Sequence, residues 1–212
     1  MTGRVVLFEA WSDYLCPWCW NASRRLELLA EEFDGRIEIR WKSYLLRPEA
    51  RRNRDAERFR RYTEGWRVPA AEPDAGPFRV WSSGAPPPSH SVPAHQVAKA
   101  AKALGGDAFR RIHGRLMHAY FAENRDISDF EVLQTVWEEA NLPTAGFAEA
   151  YSDGVLLAIR REHEEARTLG ATGVPAIRRI DNDAVIVGAH PPELYRRWIE
   201  RSLERGEGLV ER

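Results

Sequence analysis

Apolar and polar positions along the chain change period several times, and each change marks an element. Val5-Val6-Leu7-Phe8-Glu9-Ala10-Trp11 is a short apolar, β-favouring run; it predicts a buried first strand over residues 4–11. From Trp20 to Phe33 the apolar positions Leu26, Leu29 and Phe33 recur at three- and four-residue steps, which predicts a helix over residues 17–33. Asp34-Gly35 is a turn signal, and Arg36-Ile37-Glu38-Ile39-Arg40-Trp41 then alternates as a strand with one buried face does. Two strands flanking a helix predict a parallel βαβ unit with a right-handed crossover.

Beyond the second strand the period turns helical. Val92, His95, Val97, Ala98, Ala101 and Leu104 mark one helix, closed by Gly105-Gly106. Phe109, Ile112, Leu116 and Tyr120 stripe the next. Ser128 with Glu131 three residues on predicts a capping box ahead of Phe130, Leu133, Val136 and Trp137. Phe147 and Tyr151 mark a shorter piece, and Val155, Ile159, His163 and Ala166 the last helix. Alternation returns at Ala176-Ile177 and Ala184-Val185-Ile186-Val187, on either side of Asp181-Asn182-Asp183, which predicts a β-hairpin. Pro191-Pro192 opens a final helix with Leu194, Trp198 and Ile199 inward, and residues 206–212 read as a loose tail.

Two stretches carry no such period. Arg47 to Arg67 holds eight arginines and four acids, which reads as a solvated helix with mixed-sign surface pairs. Residues 68–93 hold seven of the thirteen prolines and predict a long irregular loop, functional or mobile. The organisation expected is a first β-α-β part over residues 1–48, a helical insertion over 49–169 and a second β-β-α part over 170–205.

The bulk numbers narrow the function. The 212 residues suffice for one large domain or a domain with an insertion, and a net charge of -1 supplies no field that recruits nucleic acid or a membrane surface. No apolar run approaches the length of a membrane span. Met1-Thr2-Gly3-Arg4 leads straight into the first strand, which leaves no signal peptide and predicts a cytoplasmic protein.

The chemistry concentrates in Cys16-Pro17-Trp18-Cys19, which holds both cysteines of the chain. A strand, a tight turn and a C-x-x-C opening a helix form a thioredoxin-like redox arrangement. A helix N-terminus offers unpaired N–H groups and roughly half a positive charge, so a thiolate at Cys16 is favoured there. Pro17 suits the first helical position. Cys19, one turn on, can attack a mixed disulfide on Cys16 and release its partner. Cys16 is therefore the expected nucleophile and Cys19 the resolving thiol. A structural zinc site needs about four ligands, and no second Cys pair exists. His113 and His118 lie five residues apart on one helix and face different ways, so no metal is expected. His95 and His163 read as hydrogen-bonded residues of core or edge. Trp11, Tyr14, Trp18 and Trp20 crowd the motif as core and rim, or as an apolar docking surface on which Trp18 is the most exposed.

The order strand, C-P-W-C, helix, strand, helical insertion, Gly173-Val174-Pro175, hairpin and helix resembles the DsbA-like branch of the thioredoxin superfamily. Within it the chain looks most like the FrnE-like members. The matching residues are Ser12-Asp13 with Cys16 to Trp20, Ala94-His95, Tyr120 to Asp129, and Glu164-Glu165-Ala166 leading to Gly173-Val174-Pro175. The resemblance implies an α/β thioredoxin fold with an all-helical insertion after the second strand. It implies a thiol–disulfide oxidoreductase or isomerase acting on polypeptide or small-molecule thiols, with no cofactor beyond glutathione as a thiol co-substrate, working as monomer or homodimer. It also implies a cis Val174–Pro175 bond facing the cysteines, with Val174 offering its backbone to an extended substrate and Trp18 and Pro17 beside it. The chain departs from the family where a buried acid is common on the first strand, six residues before the first cysteine: Ala10 stands there. Glu9 and Asp13 are nearby, and proton transfer through water or Asp13 is the expectation. Two other readings are a glutathione-dependent isomerase of aromatic or polyketide-type compounds, which needs no second thiol, and a chaperone-like groove without catalysis.

Overall fold

The computed structural model describes residues 4–51 and 54–211. Residues 1–3, with the reading of a leaderless start, residues 52–53 of the arginine-rich run, and residue 212 lie outside them.

The central strand is β1 (Arg4–Ser12), buried at every position after its first. Both its edges are paired, and packed clusters cover both its faces, as a near-continuous apolar run requires. One edge carries β2 (Ile37–Ser43) in parallel, from Val6 opposite Ile37 to Ser12 opposite Ser43. The other edge carries β3 (Ala176–Arg179), antiparallel from Phe8 to Trp11, and β3 in turn pairs with β4 (Ile186–Val187). Between β1 and β2 runs α1 (Pro17–Glu32). The sheet order β2-β1-β3-β4 is that of a thioredoxin-like α/β fold, as the sequence pattern predicts.

Helices fill the interval from β2 to β3: α2 (Ala56–Thr63), a 3-10 turn (Glu64–Trp66), α3 (Arg67–Ala70), α4 (Val92–Ala103), α5 (Gly106–Phe121), α6 (Phe130–Glu139), α7 (Thr144–Ala148) and α8 (Asp153–Thr168). The last helix is α9 (Pro192–Arg205). The core they form takes in the first turn of α1, with Cys16, Cys19 and Trp20 packed among Ala94, Leu116 and Phe121. A second core lies on the Phe8 and Ala10 face of β1, between Leu26 and Leu29 of α1 and Tyr195 and Ile199 of α9. Alternation along β1 sets Glu9 and Trp11 on the opposite face, where Trp11 packs on Ala166 of α8.

The capping of α6 departs from the sequence expectation. Asp129, not Ser128, is the N-cap, and its carboxylate accepts the N–H groups of Glu131 and Val132. Ser128 is spent one step earlier: its hydroxyl donates to Asp126 at 2.7 Å and accepts the Ser89 N–H at 2.8 Å.

The tail is not loose. Leu209–Glu211 forms β5, antiparallel to Arg4–Val6 on the free length of the β1 edge that β3 leaves uncovered. Gly206 and Gly208 hold positive φ angles of 64° and 68°, which turn the chain back from α9. Buried Arg179 pins the turn from below, bonding Asp181, Ser202 and Glu207. The charge on Arg179 thus ties residues that periodicity alone leaves unconnected.

The proline-rich stretch 68–93 is irregular, as expected, yet firmly tied. Trp81 is fully buried, its backbone N–H donates to the Thr63 hydroxyl, and Asn124 bonds both Arg79 and Ser82. Buried Arg25 of α1 holds the start of the stretch through Glu72 at 2.7 Å and Asp74 at 2.6 Å. Gly76 lies flat on the Trp20 ring, where any Cβ would fall 2.6 Å from its carbons.

Candidate active site

The turn between β1 and α1 is built on Asp13. Its fully buried carboxylate accepts the Leu15 N–H at 2.6 Å and the Leu46 N–H at 2.7 Å, and its carbonyl accepts the Cys16 N–H. Those bonds deliver Cys16 to the N-cap of α1 with extended dihedrals, and Pro17 follows at the start of the helix. The Cys16 sulfur does what a capping oxygen does elsewhere, accepting the Cys19 N–H at 3.3 Å. From the far side of the chain, the Val174 carbonyl accepts the Cys16 thiol at 3.4 Å. The Val174–Pro175 bond is cis. Cys16, Cys19 and Val174 are therefore brought together, with Trp18 and Pro17 half-buried on the rim.

The two thiols differ in surroundings. Cys16 keeps 5% exposure and Cys19 keeps none. Burial, then the hydrogen bond and charge of Cys16, push the Cys19 thiol well above its ordinary pKa; the Asp13 backbone N–H and the Ser12 hydroxyl work against them.

Of the aromatic crowd, only Trp18 is partly open, so the docking-surface expectation does not hold for the other three. Trp11 is fully buried and donates its indole N–H to Glu162 O at 3.0 Å. Trp20 stacks on Phe121 with ring centroids 5.5 Å apart. The Tyr14 hydroxyl bonds His113 at 2.9 Å.

Of the two acids near Ala10, Glu9 is buried on the face of β1 away from α1 and paired with Lys42 at 2.5 Å and Arg178 at 2.6 Å. Its burial opposes ionisation, but those two cations outweigh it and hold the carboxyl below its ordinary pKa. It is a structural charge. Asp13 stays near the cysteines. His163 accepts the Leu45 N–H at 3.1 Å, a hydrogen-bonded edge role.

Three polar residues to which the sequence reading gives no role at the site lie close to it, Ser12 and His113 named there for other reasons and Ser23 not named at all. Ser12 continues the Phe8–Ala10 face of β1 toward Cys19, Ser23 lies one helical turn beyond Cys19, and His113 bonds Ser23 at 2.6 Å. The period of two along β1 and the i, i+4 step along α1 are the signals that point to the first two; His113 has only its place on an apolar stripe. Among the described residues, no group of three His, Cys, Asp or Glu side chains could hold a metal ion, and no helix is long and apolar enough to cross a membrane.

Comparison with known proteins adds the lineage. Residues 8–200 match the family model described as a DSBA-like thioredoxin domain. The uncharacterized protein YwbO of Bacillus subtilis is 26% identical over 204 residues, covering 92% of this chain and 96% of its own. Among solved structures, a candidate protein disulfide isomerase of Nitrosomonas europaea superposes with a TM-score of 0.81 at 14% identity, covering 95% of this chain and 98% of its own. The cytosolic disulfide reductase DsbM of Pseudomonas aeruginosa, solved with GSH, superposes with a TM-score of 0.76 at 20% identity, covering 94% of this chain and 100% of its own.

Proposed function

Because the chain belongs to the DsbA-like thioredoxin-domain family of disulfide oxidoreductases, we propose that it exchanges disulfides with Cys16 as the attacking thiolate and Cys19 as the resolving thiol. The observation that carries this reading is the Cys16 sulfur at the cap of α1, accepting the Cys19 N–H at 3.3 Å. A sulfur so placed is stabilised as the anion by the N–H and by the helix end.

The reaction takes two displacements. The Cys16 thiolate attacks one sulfur of a substrate disulfide, and the other sulfur leaves as a thiolate. Cys19 then loses its proton and attacks the Cys16 sulfur. The Cys16–Cys19 disulfide forms, the second substrate thiolate leaves, and two electrons have passed from protein to substrate. Two molecules of glutathione, as thiol co-substrate, restore the dithiol and become glutathione disulfide. The presence of GSH in the related DsbM structure supports that choice. The same steps run in reverse oxidise a dithiol, and a stalled first step permits isomerisation. A cytoplasmic setting fits the cytosolic DsbM relative, and the FrnE-like branch fits the quoted motifs.

Substrate lies along Trp18, Pro17, Val174 and Pro175, with the half-buried Trp18 offering apolar contact area. A second thiol within reach of the first favours this reading over glutathione-dependent isomerisation, which needs only one sulfur. The test is a pair of variants. Cys16→Ser abolishes reduction of a model disulfide, and Cys19→Ser holds the substrate in a covalent complex on a non-reducing gel. Full activity in Cys16→Ser sinks the reading.

A further inference from the structure

The resolving step leaves a proton to place. On the reading above, Cys19 must give one up while fully buried and with its pKa raised. Bulk water does not reach it, so a base inside the fold has to act.

The Ser12 hydroxyl and the Asp13 backbone N–H both favour the Cys19 thiolate, and Ser12 continues the face of β1 that is turned toward α1. His95, from α4, places Nε2 3.9 Å from the Asp13 carboxylate. That is beyond a hydrogen bond and within ion-pair distance once the ring carries a proton. Both Ser12 Oγ and His95 Nε2 are buried without a hydrogen-bond partner among the described residues. Buried polar atoms left in this way call for an explanation. Both residues line one cavity of about 20 Å³, enough for a single water.

We propose that Ser12, one water in this cavity and the His95–Asp13 pair form an internal relay that takes the proton from Cys19 during resolution. The Cys19 S–H bond breaks as the Cys16–Cys19 bond forms and the substrate thiolate departs with its electron pair. The proton passes to Ser12 Oγ, whose own proton moves through the water to His95 Nε2. The imidazolium so formed is held by the Asp13 carboxylate. When the Cys16–Cys19 disulfide is reduced again, the proton returns by the same route.

The other titratable groups facing this cavity are occupied. Lys99 is paired with Glu162 and Lys42 with Glu9. His113 is held between the Tyr14 and Ser23 hydroxyls, and Tyr14 sits edge-on to His95 with ring centroids 4.9 Å apart. His163, near enough to feel the charges of Asp13 and His95, accepts the Leu45 N–H. His95 is the imidazole left with a buried nitrogen to fill.

His95 acts through Ser12 and is a positioning residue, so the test must separate the two chemical steps. Acid-quenched single turnovers with a glutathione-linked peptide disulfide do so. In His95→Gln, attack by Cys16 keeps the wild-type rate, whereas resolution slows by about 100-fold, the low end for a positioned base. The pH dependence of the resolution rate differs between the wild type and the variant, as removal of an internal base requires. Ser12→Ala slows the same step and carries the test should His95→Gln not fold. Folded variants that resolve at the wild-type rate across the whole pH range overturn the relay alone. A wild-type protein that forms no mixed disulfide at Cys16 overturns the assignment beneath it, and the relay with it.

Discussion

The Cys16 thiol lies 3.4 Å from the carbonyl oxygen of Val174, a residue 158 positions away in sequence. Cys19, one helical turn on, is enclosed by protein, and burial first and Cys16 second push its thiol pKa well up. Alkylation should therefore discriminate. Iodoacetamide at neutral pH modifies Cys16 and leaves Cys19 untouched, because a buried thiol that stays protonated is a poor nucleophile. Peptide mapping by mass spectrometry reads the result directly. Equal labelling of the two cysteines contradicts the enclosure of Cys19.

The close approach of Gly76 to Trp20 ties the proline-rich stretch to the cysteine helix. A Cβ at position 76 falls 2.6 to 2.8 Å from three carbons of the Trp20 ring. That ring cannot step aside, being wedged between Phe78 and Phe121 with centroids 4.7 and 5.5 Å away. Gly76→Ala should cost about 1–3 kcal/mol, the usual penalty of overpacking, and lower Tm by several degrees. Gly84→Ala, in the same stretch with open space around it, leaves Tm unchanged. Calorimetry of the two variants decides.

Much of this architecture is legible in sequence because burial imposes a period. β1, α1, β2 and the α4–α6 helices follow apolar spacing. The site follows too, since strand, turn and C-x-x-C fix both cysteines locally. Polar devices are what spacing misses. Arg179 holds the final strand by bonds to Asp181, Ser202 and Glu207, and no periodic signal encodes such a bridge. His95 and Asp13 are far apart in sequence and meet only because α4 packs above the turn after β1. Ser128 and Asp129 differ by one position, and only geometry decides which caps.

That last choice is measurable. Asp129 accepts two backbone N–H groups at the start of α6, both at 3.0 Å. Asp129→Ala should destabilise the protein by about 1 kcal/mol and speed amide exchange at Glu131 and Val132. Ser128→Ala releases the Ser89 N–H instead and leaves those two amides protected. Site-resolved hydrogen exchange tells the two apart.

His113 gives the fold a pH dependence with a definite sign. Burial, and then the charge of His95, push its pKa down to about 3, so it folds as the neutral ring between Tyr14 and Ser23. In the unfolded chain an imidazole titrates near 6.5, as histidines do when nothing perturbs them. Between those values the unfolded state binds a proton that the native state refuses. Stability is thus complete above about pH 6.5 and falls as the pH drops, by roughly 1.4 kcal/mol per pH unit for this one group. His90 and His163, also lowered by burial, act in the same direction. Carboxylates held low by cations, such as Asp74 beside Arg25, enter only on further acidification, below their ordinary range. His113→Gln keeps hydrogen-bonding groups for both hydroxyls and removes the titration. Urea midpoints measured from pH 7 down to pH 5 should fall more steeply for the wild type than for the variant. Parallel curves mean that His113 takes up its proton in the native state, and that the polar core beneath Cys19 is open to water.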